Sequence, residues 1–220
     1  GEGRPSAAVL VENTLKGLQD LAAWHRRRLS PAVVGLTGSA GKTTTKELTA
    51  SILDVEGETL ATLGNLNNHI GVPLTLLRLR EHHRFAVIEM GCNDFGEIGM
   101  LAGLAAPESG LITNVGAAHL EKLGDLDGVA RAKGELFASL PESGTAVVNL
   151  DDPRIPAIPC STENRLTFGR GPEAEIRLLD RRALVDGTQQ IEIELGSQGT
   201  IAPKLKLLGE HNALNALAAA

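Results

Sequence analysis

The stretch TGSAGKTT, residues 37–44, decides the fold of this chain. It follows an apolar run at 33–37 and precedes a helical pattern at 43–54. Glycines let backbone N–H groups curl around phosphate oxygens, and the N-terminus of a helix adds the positive end of its dipole. A lysine at this position reaches the β- and γ-phosphates of a nucleotide, and the hydroxyl after it ligates Mg²⁺. The order of strand, glycine loop, Lys42, Thr43 and helix therefore predicts a nucleotide site.

This loop matches the general pattern G-x-x-x-x-G-K-[ST] imperfectly. Leu36 occupies the position of the first glycine, although Gly35 and Gly38 flank it. The alternative interpretation is a glycine-rich turn without a ligand. We favour the nucleotide site because every element falls in the required order. Its candidate residues are Thr37, Gly38, Ser39, Ala40, Gly41, Lys42, Thr43 and Thr44.

Composition and charge exclude several classes of protein. The 220 residues are 42% hydrophobic, which suits one large or two small globular domains, and no apolar stretch reaches the roughly 20 residues of a membrane span. The net charge of −6, with no long basic run, argues against nucleic-acid binding. Cys92 and Cys160 are too few for a disulfide framework. We therefore expect a protein of the reducing cytoplasm that does not insert into a membrane.

From residue 33 onward, short apolar runs alternate with helical patterns. This alternation predicts an α/β fold with a mostly parallel sheet and flanking helices. The continuous apolar run at 85–88 is typical of a strand that is buried on both faces. The predicted strands are 33–37, 58–62, 85–90, 110–115 and 145–150, and the predicted helices between them are 43–54, 71–80, 96–105 and 127–139.

The last quarter of the chain has a different sequence pattern. Strand-like runs separated by glycine and proline predict a small antiparallel extension of the same domain. These runs are 165–168, 175–179, 191–195 and 204–208, with 183–185 as a further candidate.

The ends of the chain suggest its place in a longer protein. Residues 14–28 predict an amphipathic connecting helix, which Ser30-Pro31 stops. The chain starts without Met, and its last three alanines continue a helical pattern, so we expect a fragment. We expect residues 1–30 to be the tail of a preceding domain with a linker helix, and residues 31–220 to be the nucleotide-binding domain.

Polar residues follow the predicted strands, where ligands of parallel sheets bind. Glu89 ends the run that begins at 85 and is placed to hold Mg²⁺ beside the phosphate loop. His119 follows the strand 110–115; a single histidine is more often structural, but this position favours a function. Asparagines crowd the segment 64–71, which favours a polar recognition loop over a simple turn.

Three further positions are ambiguous from the residues alone. Lys133 lies in a predicted helix, where a lysine is by default a solvated surface charge. Asn212 and Asn215 are three residues apart and share a face at the start of the last predicted helix. Their amides can pair with an adenine edge or cap the helix, and spacing does not decide between these roles.

Taken together, the motifs resemble those of the Mur ligases, the ATP-dependent amide ligases of peptidoglycan precursor synthesis. The resemblance extends from Thr37 to Asn215, nearly the whole chain. It rests on TGSAGKTT, EMG at Glu89, GAAHLE at His119, AKGE at Lys133 and HNALN at 211–215. The stretches GNLNNHIGVPLTLL and TTTKE are similar to the member of the family that joins D-Ala-D-Ala to UDP-MurNAc-tripeptide.

The resemblance implies a three-domain enzyme of the bacterial cytoplasm. We expect this chain to be its central ATP-binding domain, with the C-terminal domain absent. It implies that the γ-phosphoryl group of ATP moves to the substrate carboxylate and that the amine of D-Ala-D-Ala attacks the acyl phosphate. The third residue of the stem peptide, lysine or diaminopimelate, is left open. A monomer is expected, with little or no activity for these residues alone.

The resemblance also implies roles for individual residues. Lys42, Glu89, His119 and Lys133 would be catalytic. Thr43 and Glu89 would hold one Mg²⁺, and His119 and Lys133 a second. A carbamylated Lys133 would supply an anionic oxygen ligand, which requires a lowered lysine pKa or local shielding. His211, Asn212 and Asn215 would hold the adenosine. The residues implied to face the UDP-muramoyl substrate are Asn65, Asn67, Asn68, Asn93 and Glu121.

Other functions remain open at this point. A GTPase would usually carry an N-K-x-D motif, which the sequence lacks, and a P-loop kinase would leave the asparagine-rich loop unexplained. A folylpolyglutamate synthetase relative shares the type of phosphate loop but not GNLNNHIGVP. A module that binds a nucleotide without turning it over is the third alternative.

Overall fold

One sheet organises the fold. A computed structural model describes residues 8–220, and within that range ten strands join a single sheet. Residues 1–7, part of the predicted tail at 1–30, lie outside the described residues. None of the helices within residues 8–220 has both the length and the apolar character needed to cross a membrane.

The helices and strands alternate through most of the described chain. The helices are α1 (Thr14–Arg27), α2 (Lys42–Glu56), α3 (Gly71–Leu76), α4 (Glu97–Ala105), α5 (Leu120–Leu123), α6 (Leu126–Ala138) and α7 (Glu210–Leu217). The strands are β1 (Ala32–Thr37), β2 (Thr59–Ala61), β3 (Phe85–Glu89), β4 (Ser109–Ile112), β5 (Thr145–Asn149), β6 (Arg165–Gly169), β7 (Ile176–Ala183), β8 (Gln189–Leu195), β9 (Thr200–Ile201) and β10 (Lys204–Leu205).

The predicted α/β architecture is confirmed. The strand order is β10-β8-β7-β6-β5-β4-β1-β3-β2, with β9 paired to β8. Strands β1 to β5 are parallel, with β1 between β3 and β4 at the centre. Helix α3 ends at Leu76, before the predicted residue 80, and the short helix α5 was not predicted.

The predicted antiparallel extension is confirmed only in part. Strands β8, β9 and β10 pair antiparallel with their neighbours, as expected. The run at 165–168 was wrongly assigned to that extension, because β6 pairs parallel with β5. The connection after Asn149 contains a 3₁₀ turn at Ile155–Ala157 and is long enough for the crossover that parallel pairing requires. Residues 184–187 form the turn between β7 and β8 rather than a strand.

Two apolar clusters pack on opposite faces of the sheet. The first joins the sheet to α1, α3, α4 and α6, and the second joins it to α2 and α7. In β3, Ala86 and Ile88 belong to the first cluster and Val87 to the second, and all three are fully buried. The prediction of a strand buried on both faces at 85–88 is therefore confirmed.

Helix α1 is locked onto the domain by a buried arginine. Its residue Ala22 lies in the first cluster, and α1 packs against α3 and α4. The Nε–H of Arg26 donates to the carbonyl of Ala105 at 2.9 Å, and its NH2 group donates to that of Ala106 at 3.2 Å. These are carbonyls at the C-terminal end of α4, where helices leave acceptors unmatched. The assignment of residues 1–30 to a preceding domain stays a prediction.

Replacing Arg26 with alanine should destabilise the protein. The change strands buried carbonyls at the end of α4, and we expect the free energy of unfolding to fall by about 1–3 kcal/mol. Urea denaturation followed by circular dichroism measures this loss.

Arg27→Ala is the matched control, since Arg27 is exposed on the same helix. Equal stability losses for the two variants would show that the Arg26 contacts do not hold α1 in place.

Candidate functional site

Loops from four parallel strands meet at one edge of the sheet. The carboxyl ends of β1, β2, β3 and β4 all point to this edge because these strands are parallel. The residues that follow them are, in that order, the phosphate loop at 38–44, the asparagine-rich loop at 62–70, the segment 89–96 and the segment 113–119. The structure therefore brings most of the predicted site residues together.

The phosphate loop begins later than the general pattern predicts. Leu36, at the position of the first glycine, is buried inside β1 and belongs to the second apolar cluster. Thr37 ends the strand and is also fully buried. Gly38 then approaches Thr113 so closely that a Cβ would overlap the threonine hydroxyl. Leu36 therefore stands in place of the first glycine of the general pattern because its side chain packs in the apolar core.

Gly41 sets the start of helix α2. Its φ of 78° lies in the left-handed region that favours glycine, and a Cβ there would overlap the side-chain oxygen of Asn215. Within residues 8–220, no side chain caps the N-terminus of α2. The amide donors of the first turn therefore face the loop, as an anion site requires. The Nζ of Lys42 folds back over the loop and donates to the carbonyl of Gly38 at 2.9 Å.

Asn114 holds the phosphate loop, a role that sequence reasoning missed. Its carbonyl accepts from the N–H of Ser39 at 3.1 Å, and its Oδ1 accepts from the N–H of Ala40 at 2.9 Å. Its Nδ2 donates to the carbonyl of Ala40 at 2.9 Å. The N–H groups of Ser39 and Ala40 are thus engaged by protein, whereas the first turn of α2 has no side-chain cap among the described residues. The position of Asn114 directly after β4 was the available signal.

Glu89 is a buried carboxylate with one oxygen left over. Its side chain is 1% exposed, and its Oε1 accepts from the Nδ2 of Asn67 at 2.8 Å. Its Oε2 is buried without a hydrogen-bond partner among residues 8–220. A buried carboxylate oxygen needs a donor or a cation, since its desolvation is otherwise uncompensated. This oxygen fits a hard cation such as Mg²⁺.

Two cavities meet at the phosphate loop. One, of about 350 Å³, is lined by residues 39–44 together with Asn65, Asn67 and Glu89. It brings Thr43 and Glu89 together, as expected for a shared metal. The other, of about 530 Å³, is lined by Lys42, His119 and Lys133 among others. Asn67 borders both cavities, and Asn68 and Asn93 border the larger one.

Lys133 does not occupy the solvated position that is the default for a helical lysine. It is 4% exposed in α6 and lines the larger cavity. Burial lowers the pKa of Lys133 below its ordinary value of 10.5, and the positive charge of Lys42 lowers it further, although Cys92 acts in the opposite direction. A buried amine of lowered pKa suits reaction with CO₂, which requires the neutral form.

His119 and Glu121 differ in their placement. His119 borders the larger cavity with a φ of 54°, an uncommon conformation for a residue other than glycine. It is exposed at the N-terminus of α5. Glu121 is exposed one residue into that helix and borders neither cavity, so its proposed contact with substrate gains no support from the geometry.

The asparagine-rich loop has both structural and open groups. The Oδ1 of Asn68 accepts from the N–H groups of Ile70 and Gly71 at 3.1 and 2.9 Å, and so holds the entry to α3. The backbone of Asn67 is also fixed, because its carbonyl accepts from the N–H of Gly91 at 2.8 Å. Asn65 is exposed beside the smaller cavity. Any recognition of a ligand by this loop would therefore use the polar groups that make no hydrogen bond within the fold.

Helix α7 lies beside the phosphate loop through its asparagines. The Nδ2 of Asn215 donates to the Oδ1 of Asn212 at 3.3 Å, which confirms that the two share a face. The Nδ2 of Asn212 donates to the carbonyl of Leu208 at 2.8 Å. His211 is exposed in the first turn. His211 and Asn212 lie in the first turn of α7, and Asn215 follows one turn later, where its side chain lies against Gly41.

Glu135 is a second residue that sequence reasoning missed. It lies two positions after Lys133 in α6, and its carboxylate accepts from the N–H groups of Gly96 and Gly99 at 2.6 and 2.9 Å. It thereby fixes the start of α4 and the loop that carries Asn93. The spacing within AKGE gave no signal for this contact, because its partners are distant in sequence.

Potential metal ligands also cluster at the opposite edge of the sheet. Glu58, His82 and His83 bring a carboxylate and two imidazoles within 4.8 Å of one another. The Nδ1 of His83 accepts the N–H of Arg80 at 2.9 Å, which places the proton of the neutral ring on Nε2. That nitrogen then has no lone pair for a metal. The cluster is better described as an exposed contact of 3.3 Å between the Nε2 of His82 and the carboxylate of Glu58.

Comparison with known proteins identifies relatives over nearly the whole chain. Residues 36–220 match the sequence profile of the Mur ligase middle domain. The UDP-N-acetylmuramoyl-tripeptide–D-alanyl-D-alanine ligase of Escherichia coli K12 is 44% identical over 216 residues, which cover 96% of this chain and 47% of the relative. The chain thus spans about half the length of the curated relatives that it matches.

Solved structures give the same picture. A crystal structure of MurF from Acinetobacter baumannii has a TM-score of 0.88 at 36% identity and covers 98% of this chain and 48% of its own. The MurF ligase of Thermotoga maritima, crystallised with ADP, has a TM-score of 0.85 at 30% identity and covers 99% of this chain and 51% of its own. A folylpolyglutamate synthase of Mycobacterium tuberculosis, at 18% identity with a TM-score of 0.74, shares the fold.

Replacing Lys133 with methionine should change the pH dependence of stability. The pKa of Lys133 is lower in the folded than in the unfolded chain, so the unfolded chain binds more protons between these two values. Wild-type stability should therefore rise with pH across that window, up to about 10.5. Lys133→Met should lack this rise with pH. Its gain in stability relative to the wild type should be largest at pH values below the window. Urea denaturation from pH 7 upward in buffer freed of CO₂ measures it.

Lys122→Met serves as the control because Lys122 is exposed on the neighbouring helix α5. If the stability of Lys133→Met changed with pH in parallel with that of the wild type, the result would contradict a lowered pKa of Lys133 in the folded chain.

Proposed function

Because this chain belongs to the Mur ligase family, we propose that it is the nucleotide-binding part of a ligase that joins D-Ala-D-Ala to UDP-MurNAc-tripeptide. Support comes from relatives that carry this activity in their names and align over nearly the whole chain. Those relatives are about twice as long, so the complete activity is proposed for a protein of their length. We also propose a monomer of the bacterial cytoplasm.

One observation carries the proposal above the others. Buried Glu89, whose Oε2 has no hydrogen-bond partner among residues 8–220, lines the same cavity as Thr43 and the uncapped start of α2. An anion site and a cation site are therefore adjacent, as a metal-bound triphosphate requires. A glycine-rich turn without a ligand would leave a buried carboxylate oxygen unexplained.

The chain's own residues supply the positioning that phosphoryl transfer needs. The amides at the start of α2 and the ammonium of Lys42 hold the β- and γ-phosphates, and Lys42 gives up its contact with the Gly38 carbonyl to do so. Thr43 and Glu89 would hold Mg²⁺, which neutralises charge on the phosphates when it is bound. The terminal carboxylate of the stem peptide attacks the γ-phosphorus, and ADP leaves. The dipeptide amine then attacks the carbonyl carbon of the acyl phosphate, which forms the amide bond and releases inorganic phosphate and a proton.

The larger cavity is proposed as the place of the acceptor carboxylate. His119 and Lys133 line it together with Lys42, so cationic and metal-ligating groups surround one space. A carbamate on Lys133 would convert its amine into an oxygen ligand for a second Mg²⁺ beside His119. The lowered pKa of Lys133 supports this modification because it increases the neutral fraction of the amine.

Two polar surfaces are proposed to recognise the rest of the substrates. Asn65, Asn67 and Asn68, with Asn93, border the cavities on the side of the proposed UDP-muramoyl substrate. On the opposite side of the phosphate loop, His211, Asn212 and Asn215 are proposed to hold the adenosine. The contact of Asn215 with Gly41 supports that placement, since it sets the amide beside the phosphate loop.

Nucleotide binding is the first part of the proposal to test. Isothermal titration of this chain with ATP and Mg²⁺ should show binding, and Lys42→Ala should weaken it. Loss of one charge-assisted contact of about 1.5–3 kcal/mol corresponds to roughly ten- to hundredfold in Kd.

Lys206→Ala is the control, because Lys206 is exposed and borders neither cavity. Equal affinity of wild type and Lys42→Ala would count against the phosphate site.

The ligase reaction needs a protein of full length. A chimera in which this chain replaces the 216 matched residues of the E. coli ligase provides one. We expect it to release phosphate from ATP only when UDP-MurNAc-tripeptide and D-Ala-D-Ala are both present. Glu89→Gln in the chimera should lower kcat at least about tenfold, because it removes charge at the proposed metal.

Glu192→Gln, a change of the same type at an exposed position in β8, should leave kcat unchanged. Phosphate release that is indifferent to the dipeptide would argue for a nucleotide-hydrolysing or binding module instead.

A further inference from the structure

Lys46 is a buried charge that the proposed mechanism does not use. It lies one turn after Lys42 in α2 and is fully buried, at 0% exposure. It is among the largest fully buried side chains within residues 8–220. Lysines are almost never found in such positions unless their ammonium groups are paired. Its contacts should therefore explain why the chain keeps a charge there.

The ammonium of Lys46 binds the backbone at the end of β2. It donates to the carbonyl of Thr62 at 2.6 Å and, more weakly, to that of Gly64 at 3.4 Å. It also pairs with the carboxylate of Glu47 at 2.9 Å, which is 65% exposed. Because solvent screens the exposed carboxylate of Glu47, the buried carbonyl of Thr62 is the partner that matters most, and the more distant carbonyl of Gly64 adds a weaker contact.

Both carbonyls belong to the segment that leads into the asparagine-rich loop. The hydroxyl of Thr62 accepts from the N–H of Glu89 at 3.0 Å. Beyond Gly64, Asn67 donates its amide to Glu89 at 2.8 Å and accepts from the N–H of Gly91 at 2.8 Å. Lys46 thus holds one end of a short chain of contacts that finishes on both the backbone and the carboxylate of Glu89.

A purely structural role would favour an apolar residue at this position. Replacing buried charged groups with apolar ones of similar volume is often neutral or stabilising. The ammonium does what an apolar side chain cannot do, because it attaches the helix of the phosphate loop to the turn that positions Asn67 and Glu89. The phosphate-binding and metal-binding parts of the site are linked through it.

We propose that Lys46 is a positioning residue that sets the carboxylate of Glu89 relative to the phosphate loop through Thr62 and Asn67. This inference rests on the proposed function, since it assigns Glu89 to the metal of a bound nucleotide. It predicts that loss of the ammonium weakens the response to Mg²⁺ and spares the binding of phosphates by the start of α2.

The test is the metal dependence of nucleotide affinity in Lys46→Met. Methionine fills the space of the lysine stem without a donor. The Kd for ATP is measured by isothermal titration with Mg²⁺ and with EDTA. The ratio of the Kd in EDTA to the Kd with Mg²⁺ is then compared between proteins. We expect this ratio to fall about tenfold, the scale on which partners of metal ligands tune metal affinity, with the Kd in EDTA unchanged.

Controls separate positioning from a loss of stability. Glu47→Gln removes only the exposed partner and should keep the wild-type ratio. Asn67→Ala should lower the ratio as Lys46→Met does, and the double variant should be no worse than the more affected single one, because both act along one chain of contacts. Lys46→Gln, which keeps a donor for one carbonyl, carries the same test if Lys46→Met does not fold.

The outcomes distinguish this inference from the function on which it rests. A wild-type chain whose ATP affinity is indifferent to Mg²⁺ would overturn the proposed function and this inference with it. A metal-dependent wild type with an unchanged ratio in Lys46→Met would overturn this inference alone. Failure of both Lys46 variants to fold, or additive effects with Asn67→Ala, would also overturn it by assigning Lys46 to the fold.

Discussion

Burial of the Glu89 carboxylate is the constraint around which the site is arranged. The carboxylate ends β3, the strand beside the edge strand β2, and is only 1% exposed, and a charge in such a position needs compensation. Asn67 supplies one donor, the backbone of Glu89 is held by Thr62, and the remaining oxygen has no hydrogen-bond partner among residues 8–220, which is why we propose it as a metal ligand. The asparagine-rich loop therefore does two things: through Asn67 it donates a hydrogen bond to the buried carboxylate of Glu89, and it lines a cavity.

The sheet makes this arrangement possible because it is apolar on both faces and polar at one edge. The two apolar clusters fix β1, β3 and β4 side by side, so the loops that follow them have little freedom in relative position. Contacts between loops then refine the geometry, with Asn114 holding the phosphate loop and Glu135 holding the start of α4. Rigid strands set the coarse positions, and buried polar contacts set the fine ones.

Sequence reasoning reached the parts of this structure that depend on local pattern. The phosphate loop, the buried run at 85–88 and the placement of Glu89 after it all follow from neighbouring residues, and they were predicted. The partners of Lys46, Asn114 and Glu135 are remote in sequence, so no local spacing announces them. The burial of Lys133 likewise depends on how α6 packs, and the parallel direction of β6 depends on a crossover. The local sequence pattern therefore predicts which helices and strands form. The hydrogen bonds of their polar side chains depend on tertiary contacts between residues that are distant in sequence.

The contact between Gly41 and Asn215 has a consequence for how the protein is made. These residues come from opposite ends of the described chain, and α2 packs directly on α7. Contacts between residues that are so distant along the chain form late, because the entropy of closing the intervening loop must first be overcome. During synthesis on the ribosome, the phosphate loop emerges long before the helix that completes it. A nascent chain can therefore form its first strands and helices before α7 is made, and if α7 holds the adenosine as proposed, nucleotide capture becomes a late step in maturation.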